Sequence, residues 1–103
     1  MRKWIAGILA AKMLAVASPV QADLDMVRKY NCTACHQVDK KKYGPSFKQV
    51  AEKYAGDAGA VETLSKKIKQ GGSGVWGKDP MPPQPQVTDA DAVTIAKYVL
   101  EVK

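Results

Sequence analysis

Apolar residues recur at helical spacing in four stretches of this chain, and no stretch alternates apolar and polar residues as a half-buried strand does. The clearest stretch follows Ser46, which has the spacing of a capping box with Gln49. The apolar face of this stretch comprises Phe47, Val50, Ala51 and Tyr54. The pattern predicts a short amphipathic helix that Ser46 begins and Gly56 ends.

The other three stretches predict helices over residues 23–30, over residues 60–70 and from Thr88 to the C-terminus. The first has acidic residues at its start and basic residues at its end, which suits the helix dipole. In the second, Gly71 follows a last turn rich in lysine and stops the helix. In the third, Thr88 is the N-cap and the inner face comprises Ala92, Ile95, Ala96 and Val99. The sequence therefore predicts an all-α domain.

Residues 71–87, between the last two helices, show no periodic pattern. They contain four glycines and four prolines, a composition that no regular element tolerates. A loop this long in a small domain is usually either functional or disordered. Trp76 and Met81 lie within it, which argues against disorder. We therefore expect this loop to carry part of the function.

Residues 1–22 have the pattern of a secretory signal peptide that is cleaved after Ala22. Arg2 and Lys3 precede an apolar run over residues 4–17, and short residues follow at Val20 and Ala22. The alternative is a membrane anchor, but Lys12 interrupts the run, and a spanning helix needs about 18 uninterrupted apolar residues. The pattern predicts an exported, periplasmic domain of residues 23–103 with no stable membrane insertion.

Cleavage also changes the charge of the protein. Loss of three basic residues leaves 13 against ten acidic residues, so the net charge falls from +6 to +3. A charge of this size does not indicate nucleic-acid binding. The remaining domain is too small for its hydrophobic core alone to give high stability. A disulfide between its only two cysteines, Cys32 and Cys35, would close a very short loop and would therefore add little stability. We therefore expect another stabilising element, such as a bound prosthetic group.

The cysteines belong to a motif that attaches haem covalently, Cys32-Thr33-Ala34-Cys35-His36. Two thiols three residues apart can add to the two vinyl groups of one haem, and the adjacent histidine then lies under the iron. A thioredoxin-like dithiol has the same spacing but needs surrounding strands. A zinc site needs about four ligands, and two cysteines with one histidine do not supply them. A chance match is the remaining alternative.

His36 is the only histidine in the chain, so the second axial ligand must be methionine, lysine, water or nothing. Met26 precedes the attachment motif on the first helix, where a packing role is expected. Met81 lies between prolines, 45 residues after His36, and the stiff backbone can present its sulfur at little entropic cost. A gap-filling core methionine is the alternative for Met81. Histidine with methionine is a ligand pair of electron-transfer haems, so we expect Met81 to bind the iron.

The region from residue 23 to residue 103 resembles the small bacterial class I cytochromes c of the c-551/c-552 group. The resemblance rests on the haem motif and on four further blocks in the same order: Tyr43-Gly44-Pro45, Gly74-Val75-Trp76-Gly77, Pro80-Met81-Pro82-Pro83 and Lys97-Tyr98-Val99-Leu100. It implies a class I cytochrome c fold, with about four helices wrapped around one covalent haem c.

The resemblance also implies roles for residues around the haem. The carbonyl group of Pro45 should accept a hydrogen bond from His36, and the indole N–H of Trp76 should donate one to a haem propionate. Lys67 should neutralise a propionate, and an amide should touch the sulfur of Met81. Because the segment 84–86 is one residue longer than in the shortest members of the group, either Gln84 or Gln86 could supply that amide. Asn31 and Tyr98 stand where glycine and tryptophan are common.

These features favour a monomeric one-electron carrier over an enzyme. One alternative is an open-site haem enzyme or gas sensor, but this chain has no second histidine to serve as the acid or base near the iron. Another alternative is a haem subunit of a larger complex. The resemblance implies redox proteins as partners: a quinol-oxidising complex upstream and a terminal oxidase, nitrite reductase or haem peroxidase downstream. Three successive lysines, residues 40–42, could steer an acidic partner or could be ordinary surface charge.

Overall fold

The computed structural model describes residues 19–103, which form an all-α domain as predicted. Four α-helices and one short 3-10 helix occur in this part of the chain. They are α1 (Pro19–Lys29), the 3-10 helix (Cys32–Ala34), α2 (Phe47–Lys53), α3 (Ala60–Gln70) and α4 (Asp89–Glu101). Across residues 19–103, every helix is too short or too polar to traverse a lipid bilayer.

The helix ends follow from local capping. The hydroxyl oxygen of Ser46 accepts a hydrogen bond from the backbone N–H of Gln49 at 3.0 Å, and the Gln49 amide oxygen accepts one from the Ser46 N–H at 2.9 Å, so the predicted capping box is confirmed. The Thr88 hydroxyl accepts from the N–H of Asp91 at 3.1 Å and caps α4. Helix α3 has the predicted bounds and is followed by Gly71, whose φ of 71° is the left-handed conformation that favours glycine.

Helix α4 lies at the centre of the fold and packs against α1, α2 and α3. Its predicted inner face is confirmed, since Ala92, Ile95, Ala96 and Val99 are all buried. Tyr98 is buried as well and meets the ring of Phe47 edge-on, with the ring centroids 5.9 Å apart. Helix α1 packs against α4, and Val27 of α1 is fully buried in the core.

Two boundaries differ clearly from the prediction, and α4 ends at Glu101, two residues before the C-terminus that the pattern predicted as its end. Helix α1 begins at Pro19 and not at residue 23, so it passes through the expected cleavage site after Ala22. Helix α2 ends at Lys53, one turn before Gly56, and Tyr54 of the predicted apolar face is its half-buried C-terminal cap. The charged and apolar regions of the expected signal peptide, residues 2–17, lie outside the described residues.

The loop over residues 71–87 contains no helix, in agreement with its composition. Gly72 and Met81 form an isolated antiparallel bridge. The N–H of Gly72 donates to the carbonyl oxygen of Met81 with an N···O distance of 3.0 Å, and the N–H of Met81 donates to the carbonyl oxygen of Gly72 at 2.7 Å. After this bridge, the N–H of Gln84 lies 3.2 Å from the carbonyl oxygens of both Ile68 and Lys69. These contacts satisfy carbonyl groups in the last turn of α3 and hold the second half of the loop against that helix.

Candidate functional site

One cavity of about 250 Å³ brings all of the predicted site residues together. It lies between the segment that contains the 3-10 helix, the loop over residues 71–87, and the inner faces of α2, α3 and α4. Its lining includes all eight candidates: Cys32, Cys35, His36, Pro45, Lys67, Trp76, Met81 and Gln84. These residues lie far apart in the sequence, and they meet only because the helices and the loop pack together.

Asn31 starts the attachment segment with a left-handed backbone, at φ 63° and ψ 24°. Asparagine tolerates this conformation better than most residues that have a side chain, and glycine tolerates it best. The backbone conformation therefore restricts the residue type at position 31, where glycine is common in the group that the sequence resembles. The turn lets the chain leave α1 and enter the 3-10 helix with Cys32 facing the cavity.

The two thiols are separated by a single turn of the 3-10 helix. The N–H of Cys35 donates to the carbonyl oxygen of Cys32 at 3.2 Å, and the N–H of His36 donates to the same oxygen at 3.0 Å. Both cysteines are half-buried and unpaired. Burial raises the pKa of the Cys32 thiol, so this group is protonated at neutral pH.

The imidazole of His36 is held on three sides. Its Nδ1 atom lies 2.7 Å from the carbonyl oxygen of Pro45. Its ring stacks on Phe47, with centroids 5.6 Å apart and an interplanar angle of 24°. The backbone of Gly44 passes so close that an added Cβ atom would lie 2.6 Å from the ring Cε1. When Nδ1 donates to Pro45, Nε2 of the neutral ring carries the lone pair that can bind a metal.

Met81 faces the cavity from the loop. The bridge to Gly72 holds its backbone on both the N–H and the carbonyl side, and prolines precede and follow it. The loop backbone passes close to Gly71, where an added Cβ atom would overlap the carbonyl oxygen of Met81. The position of the thioether is therefore set by a stiff backbone and by the end of α3.

Three polar candidates lie around the same cavity. Trp76 is 42% exposed, and the ammonium nitrogen of Lys53 lies 5.6 Å from its ring centroid. Lys67 is half-buried on α3. Gln84 lines the cavity, whereas Gln86 does not, and the Gln86 amide donates to the Gln84 amide oxygen at 2.7 Å. Of the two glutamines left open by the sequence, Gln84 is therefore the one placed at the site.

The lining suits a flat, largely apolar group that carries anionic substituents. Its apolar part is contributed by all three helices that border the cavity: Phe47, Val50, Leu64, Ile68, Ile95, Ala96 and Val99. The indole of Trp76 and the ammonium group of Lys67 provide hydrogen-bond donors in the lining. The thiols, the imidazole and the thioether are the groups that a covalent haem with two axial ligands requires. The residues present therefore fit a haem c.

The sequence did not predict a contact between α4 and Tyr30, the residue that precedes Asn31 and the haem motif. The phenol of Tyr30 donates to a carboxylate oxygen of Asp91 at 2.5 Å, across 61 positions of sequence. This hydrogen bond, together with the negative charge of Asp91, raises the pKa of the phenol. A tyrosine just before the motif and an acidic residue in the first turn of the last helix were visible signals, but only helix packing brings them together.

Comparison with known proteins agrees with this geometry. Residues 25–103 match the family model described as Cytochrome c. The chain is 50% identical over 100 residues to cytochrome c-552 of Nitrosomonas europaea, covering 97% of this chain and 96% of that protein. It is 53% identical over 79 residues to cytochrome c-551 of Azotobacter vinelandii, covering 77% and 95% respectively. The crystal structure of wild-type Nitrosomonas europaea cytochrome c552 superposes with a TM-score of 0.76, at 50% identity, covering 78% of this chain and 99% of that one.

Proposed function

Because this chain belongs to the cytochrome c family, whose members are electron carriers with a covalently bound haem c, we propose that it is a periplasmic one-electron carrier with His36 and Met81 as axial ligands. One observation carries the proposal. The only histidine of the chain and Met81 line the same cavity as both cysteines. When bound, haem c supplies an iron that alternates between the ferrous and ferric states.

Cys32 and Cys35 would hold the haem by thioether bonds from their Sγ atoms to its vinyl groups. Their backbone is preorganised, because Asn31 turns the chain and the 3-10 helix places the second thiol one turn after the first. Covalent attachment also supplies the stabilising element that so small a domain needs. We expect folding and haem retention to be coupled for this reason.

His36 would bind iron through Nε2. The carbonyl oxygen of Pro45 accepts a hydrogen bond from the Nδ1–H group, which favours the tautomer with a free Nε2 lone pair and would make the imidazole a better donor to the metal. Phe47 and the Gly44 backbone restrict rotation of the ring. These contacts would keep the imidazole in one orientation whether the iron is ferrous or ferric, which would limit the reorganisation that accompanies electron transfer.

Met81, which lines the same cavity, would bind iron through its sulfur. A soft thioether ligand stabilises ferrous iron and raises the reduction potential. The bridge to Gly72 and the flanking prolines limit the motion of the backbone that carries this sulfur. Such a ligand is suited to a carrier, since it occupies the position that a substrate or gas would need.

The polar residues of the cavity would bind the haem edge and adjust the iron. The Trp76 indole would donate to a propionate, and the Lys67 ammonium would lower the cost of keeping that carboxylate charged. The Gln84 amide would touch the Met81 sulfur. Such contacts would adjust the reduction potential without changing the ligands of the iron.

A carrier with both axial positions filled has no site for substrate, and the absence of a second histidine removes the usual acid–base group. The function therefore depends on encounters with other redox proteins. We propose a monomer that accepts electrons from a quinol-oxidising complex and delivers them to a terminal oxidase, a nitrite reductase or a haem peroxidase. Such encounters are small and short-lived.

Export follows from the signal-like residues 1–22. Cleavage after Ala22 would remove the first turn of α1 and leave the part that contains Val27, a fully buried residue of the core.

The proposal is tested on protein purified from the periplasmic fraction. The intact mass should equal residues 23–103 plus one haem, and potentiometric titration should give one reversible step with a slope of about 59 mV per tenfold change in the ratio of oxidised to reduced protein. The oxidised protein should show the weak near-infrared charge-transfer band of sulfur-bound ferric haem. Retention of residues 1–22, a step of more than one electron, or a missing band would each overturn the corresponding part of the proposal.

A further inference from the structure

We infer that Lys53 is a positioning residue that holds the indole of Trp76 at the edge of the cavity. The inference rests on the proposed function, in which the Trp76 N–H binds a haem propionate. Its basis is the position of the Lys53 ammonium nitrogen, 5.6 Å from the centroid of the Trp76 ring, within the range of a cation–π contact. The resemblance that assigned roles to Trp76 and Lys67 gave none to Lys53.

The backbone around Trp76 does little to fix the indole. Gly74 and Gly77 have φ values of 94° and 117°, and the N–H of Gly74 donates to the carbonyl oxygen of Gly77 at 3.0 Å, so this segment forms a small turn of its own. Trp76 is 42% exposed at the tip of that turn. An aromatic ring placed in this way needs a side-chain contact to keep one orientation.

Lys53 can supply that contact because its helix is anchored. It lies in the last turn of α2, where the helix dipole favours a positive charge. The same helix is capped by Ser46 and Gln49 at its other end, and its residue Phe47 stacks on the ring of His36. Helix α2 therefore contacts the proposed axial histidine at one end and the proposed propionate donor at the other.

Loss of the Lys53 contact should let the Trp76 indole leave its position more often. At an exposed site a cation–π contact corresponds to about a two- to fivefold change in such an equilibrium. A less constrained indole donates a weaker hydrogen bond to the propionate. In the haem-bound protein, a propionate that the indole neutralises less would favour the ferric state and lower the reduction potential.

The first test follows the exchange of the Trp76 indole N–H by NMR. Trp4 lies in the expected signal peptide, so the mature protein should give a single indole resonance. Lys53→Met keeps the length of the side chain and removes its charge, and we expect exchange about two- to fivefold faster than in the wild type. Lys53→Arg should restore the wild-type rate. Lys48→Met, an exposed lysine on the same helix, is the control for the change in net charge.

The second test separates a contact through Trp76 from the direct effect of a charge on the iron. The reduction potential is measured for Lys53→Met, Trp76→Phe and the double variant. We expect Lys53→Met to lower the potential in the wild-type background and to have much less effect when Phe replaces Trp76. Equal shifts in both backgrounds, or unchanged indole exchange in Lys53→Met, would overturn the inference. If instead the wild type shows no reversible one-electron step, the proposed function itself has failed.

Discussion

The ring of His36 lies directly against the backbone of Gly44, so closely that a Cβ atom at position 44 would be 2.6 Å from Cε1 of the imidazole. Gly44→Ala should therefore push the ring away from the carbonyl oxygen of Pro45. Overpacking of this kind typically costs about 1–3 kcal/mol of unfolding free energy. Denaturant unfolding and the Soret spectrum of the purified variant would measure the loss of stability and the tilt of the ligand.

Gly59→Ala is the matched control for Gly44. An added Cβ atom at position 59 would meet only a carboxylate oxygen of Asp57, at an ordinary contact distance of 3.5 Å. This control should leave the haem spectrum unchanged. A wild-type spectrum and wild-type stability in Gly44→Ala would show that the backbone can shift without disturbing His36.

Replacement of Met81 should have the most specific effect on the iron. Met81→Ala should remove the sulfur ligand, lower the reduction potential and admit water or added small ligands. The near-infrared charge-transfer band of the oxidised protein should disappear. Optical titration with a small exogenous ligand would measure the opened position.

Met26→Ala is the control for a methionine that packs. Met26 on α1 is half-buried against the core. Its truncation should lower the free energy of unfolding by about 2 kcal/mol or less and leave the charge-transfer band in place. A band that survives Met81→Ala and vanishes in Met26→Ala would assign the distal ligand to Met26.

The hydrogen bond between Tyr30 and Asp91 should make part of the stability depend on alkaline pH. It raises the pKa of Tyr30 above the ordinary value of 10.0, so the folded protein holds the phenolic proton more tightly than the unfolded chain does. This stabilisation is fully present below pH 10 and is lost as the pH rises through the folded-state pKa. Thermal unfolding of the wild type and of Tyr30→Phe, compared between pH 8 and pH 12, should show a difference that shrinks as the pH increases.

Tyr98→Phe is a second variant for the same measurement. Burial raises the pKa of the Tyr98 phenol as well, but no hydrogen bond to a carboxylate contributes to that shift. Comparison of the two variants therefore separates the Asp91 contact from burial. A stability difference for Tyr30→Phe that stays constant up to pH 12 would contradict the expected linkage.

Residues 40–42 should affect the rate of encounter with an acidic redox partner. Lys41 lines the cavity, and the ammonium nitrogen of Lys42 lies 3.4 Å from the carbonyl oxygen of Thr33 in the attachment segment. Charge reversal of Lys40 and Lys41 should slow association about tenfold at low salt and weaken its dependence on ionic strength. Stopped-flow kinetics with the physiological partner would measure both. Lys97→Glu, on α4 and outside the cavity lining, should change the rate less.

The helices could be predicted from the sequence because their signals are local. Apolar spacing identified all four, and the end of α3 at Gly71 followed from the residue type that its backbone requires. The start of α1 at Pro19 was less accessible, because the residues around it were assigned to the expected signal peptide. Helix α2 ended early because Tyr54 leaves helical geometry before Gly56 is reached.

The parts of the candidate site that depend on rare residue types could be predicted from the sequence. A single histidine, two cysteines and a methionine between prolines left few alternatives for ligands of a metal group. Contacts between common residue types could not be predicted from the sequence. Tyr30 with Asp91, and Lys53 with Trp76, combine residues that occur in many places, and only the packing of α1, α2 and α4 decides which of them meet.

The bridge between Gly72 and Met81 divides the loop into two parts that can evolve separately. Residues 73–80 form an excursion whose two ends are joined by backbone hydrogen bonds, so insertions or changes of charge there need not displace the sulfur of Met81. The stretch from Met81 to Gln84 is instead tied to the end of α3 and has little freedom to vary. A lineage could thus acquire new partners through the excursion while keeping the same iron ligand.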